Sequence, residues 1–298
     1  MKPLFQIGLA TLLCGLAYCA QVHSVAPAGK DLPPEMQTSD YVLLGEVHDN
    51  REGHALRLEW LRELAGKKRW ALALEQLDRE HQDALDQAIN QGPRSPDSAH
   101  AVALAGGFNF KGWKWPLYEP VLTLALEQHW PLVATNLSRA QLAEVIRGTR
   151  SPPALPAQWS ALQQEALLQE VKEGHCNLLP ESQLPKFVAA QQTRDHEMAE
   201  AMVAAHHATG LPVILLAGNG HLRKDLAVPV WLHALDPGSK VTTVAILERN
   251  AEGSPDQKNH FDQVIWVNPE ERPDPCVQLR KQMEERKNRE SGAGTSGR

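Results

Sequence analysis

The sequence predicts an α/β fold: a mostly parallel sheet flanked by helices, with a smaller helical subdomain. Three observations carry that expectation. Several short runs are apolar almost without interruption, as in strands covered on both faces. Segments of helical spacing separate them, which is the alternation of a parallel sheet with crossover helices. Residues 76–130 and 138–208 hold more helix than simple crossovers need, which places a helical insertion within about 76–208.

The elements follow in order. Tyr41 to Val47 is the first strand run, and Leu56, Trp60, Leu61 and Leu64 then recur at helical spacing. Trp70 to Leu74 is a second strand, ending at Glu75, and Pro131 to Thr135 a third, ending at Asn136. Leu211 to Ala217 is a fourth, running into Gly218-Asn219-Gly220-His221. Lys240–Leu247 and Phe261–Val267 supply two more. The α/β domain spans 39–270, after a linker over 21–38. Residues 271–298 are charged and Gly/Ser-rich, and are expected to be a disordered tail.

Composition narrows the function classes. Of 298 residues, 42% are hydrophobic and 22% charged, a globular balance that excludes bulk disorder. A net charge of −6 leaves no cationic footprint for nucleic acid. Residues 1–20 read as a secretory signal: Lys2 precedes an apolar run from Leu4 to about Ala20, too short and interrupted for a bilayer span. The run ends at Leu16-Ala17-Tyr18-Cys19, which resembles a lipoprotein box with Cys19 as the lipidated residue, although Tyr18 departs from its small-residue pattern. Two outcomes stand open: an outer-membrane lipoprotein facing the periplasm, held to the membrane only by its lipid, or a soluble periplasmic protein. In such a compartment Cys176 and Cys276 are free to pair, but the sequence alone does not show that they are close. No Cys-x-x-Cys pair signals structural zinc.

Polar residues gather at the strand ends. The first strand closes in Glu46 and His48, the second in Glu75, the third in Asn136, and the fourth in Asn219 and His221. In an open parallel sheet the carboxyl edge is the ligand crevice. Gly45-Glu46-Val47-His48 and Gly218-Asn219-Gly220-His221 share a Gly-x-x-His pattern, whose glycine allows close approach or a positive φ. The dinucleotide fingerprint fails at Arg223, where a third glycine is required, and neither a Gly-x-Ser-x-Gly elbow nor a His-Glu-x-x-His helix occurs.

The run Leu44 to Asn50, with His54 following, resembles the opening motif of the ChaN-like haem-binding lipoproteins, a family grouped with the Tiki proteases and erythromycin esterases. Further matches follow in family order. They are Leu74-Glu75-Gln76, Trp115 with Tyr118 and Pro120, Ala134-Thr135-Asn136, Gly174-His175-Cys176, Arg194-Asp195 with Met198, and Gly218 to His221 with Val228-Pro229. The likeness spans about residues 40–248. It implies an α/β fold with a small helical domain, a bacterial cell-envelope location, and a part in haem-iron uptake beside a receptor or transporter. It also implies haem held at a homodimer interface with a Tyr on the iron.

Haem needs an axial ligand, apolar surface against the ring, and cations near its propionates; Tyr and His are established ligands. Only three Tyr exist. Tyr18 lies in the signal and Tyr41 opens a core strand, so Tyr118 is the candidate, with Trp115 beside it and Lys111 and Lys114 near. A packing role for Tyr118 at a helix start is the competing reading. His175, His54 and His129 are reserve ligands, and Arg223 and Lys224 further candidates for the propionates. On the helix near 185–208, Gln191, Arg194 and Met198 share a face, which points Arg194 at Glu46 or Glu75. An enzyme reading stands beside these. His48, Glu75 and His221 form a possible site for a divalent transition metal, with Glu46 or Glu75 as general base, as in a metal-dependent peptidase or esterase.

Overall fold

Three stretches, 31–92, 96–249 and 259–293, are described by a computed structural model of the chain. The strands are β1 (Tyr41–Glu46), β2 (Ala71–Asp78), β3 (Leu132–Asn136), β4 (Val213–Gly218), β5 (Val241–Glu248) and β6 (Gln263–Val267). Between them run α1 (Arg51–Ala65), α2 (Gln82–Gln91), α3 (Ala99–Ala105), α4 (Trp115–Glu127), α5 (Arg139–Arg147), α6 (Ala161–Gly174), α7 (Leu184–Thr209) and α8 (Val228–Leu235), and α9 (Pro275–Ala293) follows β6. Each strand expected from the sequence is present. They pair in parallel in the order β3-β2-β4-β1-β5-β6.

The near-continuous apolar runs are explained by a sheet covered on both sides. Successive side chains point to opposite faces. Val42 and Leu44 of β1 therefore pack with Ile214 and Leu216 of β4 under α1, α3 and α4, where Leu61, Val102 and Leu122 are buried. Tyr41 and Leu43 face the other way, with Leu215 and Ala217, against Met198 and Met202 of α7 and Trp231 of α8. Tyr41 is fully buried, and its hydroxyl donates to Asp236 at 2.7 Å.

The helical insertion divides in two. Leu85 of α2 joins the core of the sheet domain rather than a separate unit. The subdomain is α5, α6 and the first half of α7, with small cores of their own around Leu167, Val171 and Val188, and around Val145 and Ala190. Both α5 and α6 begin with a capping box, Ser138 with Gln141 and Ser160 with Gln163, which satisfies the first-turn N–H groups. The expected disordered tail is corrected in part, since residues 275–293 form α9. Cys276, at its first turn, is joined to Cys176 by a disulfide. The signal segment, Cys19 and most of the linker lie outside the described residues. Among those described, no helix is long and apolar enough to cross a membrane.

Candidate functional site at the carboxyl rim of the sheet

The central neighbours β1 and β4 send their chains to opposite faces. The loop after β1 leads to α1 on one side of the sheet, and that after β4 leads to α8 on the other. Such a divergence opens a crevice at the carboxyl ends of the two strands. Both Gly-x-x-His motifs end there, and their glycines serve close approach. A Cβ on Gly45 would stand 2.1 Å from Asn219 Oδ1, and one on Gly218 would stand 2.9 Å from His48 Cε1. Each motif's glycine thus makes room for a side chain of the other. Asn219 uses that room to tie three strands together. Its Nδ2 donates to Glu46 O at 2.9 Å and Ile246 O at 2.7 Å, and its Oδ1 accepts from Ile246 N at 3.1 Å.

Two carboxylates organise the rim. Glu46 is buried and accepts from the Arg57 guanidinium, from Tyr118 Oη at 2.6 Å and from Gln76 Nε2 at 3.1 Å. His48 Nδ1 lies 2.7 Å from its Oε1. Burial alone would raise the pKa of Glu46. Arg57, the His48 hydrogen bond and His54 outweigh it and hold the carboxyl far below its usual range. His48 is lowered by burial, but its bond to Glu46 and the charges of Glu75 and Glu46 carry it upward. His54 goes the other way, down to about 4, through burial and the neighbouring Arg57. Its Nε2 lies 3.1 Å from His48 O, which fixes the backbone beneath His48.

Glu75 is the second centre. Its Oε1 accepts from Arg194 Nη2 at 2.5 Å, and its Oε2 accepts from Gly218 N at 2.7 Å. Arg194 Nε also donates to Asn136 Oδ1 at 3.0 Å. His221 Nε2 is 3.5 Å from Glu75 Oε1, and its Nδ1 is 2.5 Å from Asp195 Oδ1. Burial lowers the pKa of His221, but Glu75 and Asp195, against Arg194, carry it up to about 9. His221 therefore holds its proton at neutral pH, facing Asp195, whose own pKa burial pushes up against the pull of His221. Burial again acts to raise the pKa of Glu75, and His221, Arg194 and His48 keep it ionised well below the usual range.

Glu46, His48, Glu75, Asn136 and His221 are accordingly one connected rim. His48, Glu75, Asn136 and Arg194 line a cavity of about 400 Å³, together with Trp113. The His48 and Trp113 rings meet edge to face at 4.7 Å. Arg194 reaches Glu75, as its helix face foretold, and not Glu46.

Other expected residues are placed differently. Tyr118 is fully buried, with its hydroxyl donating to Glu46 and its pKa pushed up by burial and by Glu46. Its oxygen is therefore committed and closed to an iron. Trp115 packs among Phe108, Phe110 and His100, away from the cavity. Lys111 is exposed. The metal trio does not converge. Among the described residues, the three candidate ligands whose donor atoms lie within 4.8 Å of one another are Asp78, Glu80 and His81. His221 Nε2 faces Glu75 at 3.5 Å, and Glu75 is engaged by Arg194, whose charge opposes a cation. Arg57 is not among the residues the sequence points to, and Gln76 enters there only within the Leu74-Glu75-Gln76 motif. A fully buried Arg within the apolar stripe of Leu56, Trp60, Leu61 and Leu64 was the available signal.

His175 stands elsewhere, at the end of α6. Its Nδ1 is 2.7 Å from Val171 O, and its ring meets Phe187 edge to face at 5.0 Å. With Leu167, Val171, Leu226, Gln191 and Arg223 it lines a depression of about 190 Å³. Arg223 is engaged there by Glu170 and by Asp225.

The family described as "Haem-binding uptake, Tiki superfamily, ChaN" matches residues 32–232. The chain belongs to this ChaN family. Among solved structures it is similar to ChaN of Campylobacter jejuni, described with cofacial haem binding. Identity is 26%, the TM-score is 0.65, and the match covers 77% of this chain and 88% of that one. Two remoter similarities are the type III effector HopBA1, at 13% identity and TM-score 0.44, covering 78% and 90% of the two chains, and a mutant of the erythromycin esterase EreC, at 16% and 0.42, covering 73% and 72%. No curated protein matches the chain in sequence. The all-parallel sheet with flanking helices is the α/β fold shared with ChaN.

Proposed function

We propose that this protein binds haem in the bacterial cell envelope and takes part in haem or iron uptake, with His175 as the protein ligand to the iron. The observation that carries the ligand is the state of its ring. Nδ1 is held by Val171 O, which leaves Nε2 as the ring's donor atom toward a metal. A metal-binding imidazole is typically oriented by such a bond from its other nitrogen. The depression around it supplies Leu167, Val171 and Leu226 as apolar contact. Bound there, haem would supply an iron for the His175 imidazole to hold.

The tyrosines favour this choice. Tyr41 and Tyr118 are sealed and hydrogen-bonded, and Tyr18 lies outside the described residues. The depression, at about 190 Å³, is smaller than the roughly 300–1,000 Å³ of pockets that enclose a drug-sized ligand. A macrocycle would therefore lie across it with one side uncovered. A second copy of the chain, as the cofacial haem of the Campylobacter relative suggests, covers that side. Anchoring through Cys19, and delivery to a receptor or transporter, belong to the same proposal. Titrating hemin into the mature protein tests it. A Soret shift that survives Tyr118→Phe and is lost in His175→Ala supports the assignment. The reverse pattern restores the phenolate, and no shift at all ends the haem reading.

A second reading is favoured by one observation: two imidazoles, each held by a carboxylate, flank Glu75 beside the larger cavity. That arrangement suits general acid–base hydrolysis at the rim. Turnover of an ester or peptide, lost in His48→Ala, is its test. Without any turnover the rim is a structural network.

A further inference from the structure

The disulfide sits in an unusual place. It does not join two core elements. Cys176 directly follows His175, and Cys276 belongs to the first turn of α9, whose described residues beyond it are mostly exposed. The α6–α7 pair has an apolar core of its own around Leu167, Val171, Leu184 and Val188. Those helices therefore stay packed without the sulfur bond. What the bond ties to α9 is the turn after His175.

That turn is held in a costly shape. Cys176 and Asn177 have φ of 57° and 56°, two successive non-glycine residues in the left-handed region. Backbone bonds from Cys176 N to Glu173 O at 2.7 Å and from Asn177 N to Lys172 O at 2.9 Å close the end of α6 over them. The other half of the bond is anchored to the sheet. Arg272, four residues before Cys276, pairs with Asp49 at 2.9 Å and Glu248 at 2.5 Å on the rim of β1 and β5. A short strap thus runs from that rim to the loop beside His175. Both sulfurs belong to half-buried residues, within reach of a reductant.

We propose that the Cys176–Cys276 bond is a thiol-controlled clamp on the loop that carries the haem ligand. Closed, it holds His175 in the position ligation needs. Opened, it lets the left-handed turn relax, and haem affinity falls. The chemistry balances with a dithiol as reductant: Cys176 and Cys276 each gain an electron and a proton, and the dithiol becomes a disulfide. This inference rests on the proposed haem site at His175.

The test is hemin titration of the full mature chain in three forms: oxidised, reduced by a dithiol, and carrying Cys176→Ser with Cys276→Ser. The double variant removes both thiols as competing iron ligands. Groups that orient a metal ligand typically contribute ~10–100-fold to metal affinity. The double variant is therefore expected to bind hemin at least about tenfold more weakly, to lose all response to dithiol, and to keep its far-ultraviolet dichroism. Equal dissociation constants for the oxidised protein and the double variant overturn the clamp and leave the haem reading standing. A variant that has lost its dichroism also overturns it, since the bond then holds the fold. No Soret shift in the oxidised protein removes both.

Discussion

Deprotonating His221 is the perturbation that most directly probes the rim. Its imidazole is buried between Glu75 and Asp195, with Arg194 opposing, and titrates near pH 9 rather than the ordinary 6.5. A folded pKa above the unfolded one adds stability that is fully present below pH 6.5 and is lost as pH rises through 9. Converted at 1.36 kcal/mol per unit, the difference is worth about 3 kcal/mol. For a domain of this size that lowers the Tm by roughly 6–12 °C. The shifts of Glu46 and Glu75 act in the opposite sense and in another window, since their contribution is lost only as pH falls below the carboxylate range. Thermal unfolding followed between about pH 6 and 9, with the His221 ring titrated by NMR, measures both quantities. Asp195→Asn should bring the titration of His221 down, because one of the two charges raising it is gone. A His221 midpoint at or below the ordinary value, or a melting temperature flat across that window, refutes the ion-pair account of the rim.

Other expectations follow from the same geometry. In Gly45→Ala the new methyl displaces Asn219 and strands the main-chain groups of Glu46 and Ile246 that it ties, each worth ~1–3 kcal/mol when buried. Urea denaturation should show a loss of about 3–5 kcal/mol, and a loss under about 1 would mean that Asn219 is not a tie. Tyr118→Phe removes one donor from Glu46 and leaves Arg57, His48 and Gln76 in place. It should cost about 1–2 kcal/mol in the same assay. A cost above about 4 kcal/mol would show that Tyr118 fixes more than that carboxylate.

Much of the fold was legible because it is written in period. Apolar runs such as Val213–Ala217 admit few readings once helices flank them, and all six strands follow from them. The rim was legible for a related reason, since polar residues that end apolar strands have one edge of the sheet to share. Partnership was less visible. Glu75 and Asn136 meet Arg194, which lies on a helix 58 residues beyond Asn136, and only the helix face hinted at that contact. The fate of Tyr118 was hidden because the same phenol serves a ligand role or a buried hydrogen bond, and the choice depends on Glu46 beneath it. Nor does local composition show that Cys276, in a charged tail, returns to Cys176 across a sequence separation of 100.

The position of α7 links the two regions. Gln191 lines the His175 depression, and its Nε2 also lies 3.1 Å from His221 Nδ1. Arg194, three residues on, faces the larger cavity and grips Glu75. One helix therefore divides the His175 depression from a charged crevice, with the Gln191 amide reaching both. Charges buried as deeply as Glu46, Arg57, Glu75 and Asp195 lose several kcal/mol each in desolvation, and apolar packing of equal volume would often be at least as stable. Stability alone thus does not account for their concentration at one edge of the sheet. Orientation does: every one of them reaches His48 or His221 directly or through one partner, and those two rings are the groups that the rim holds in place.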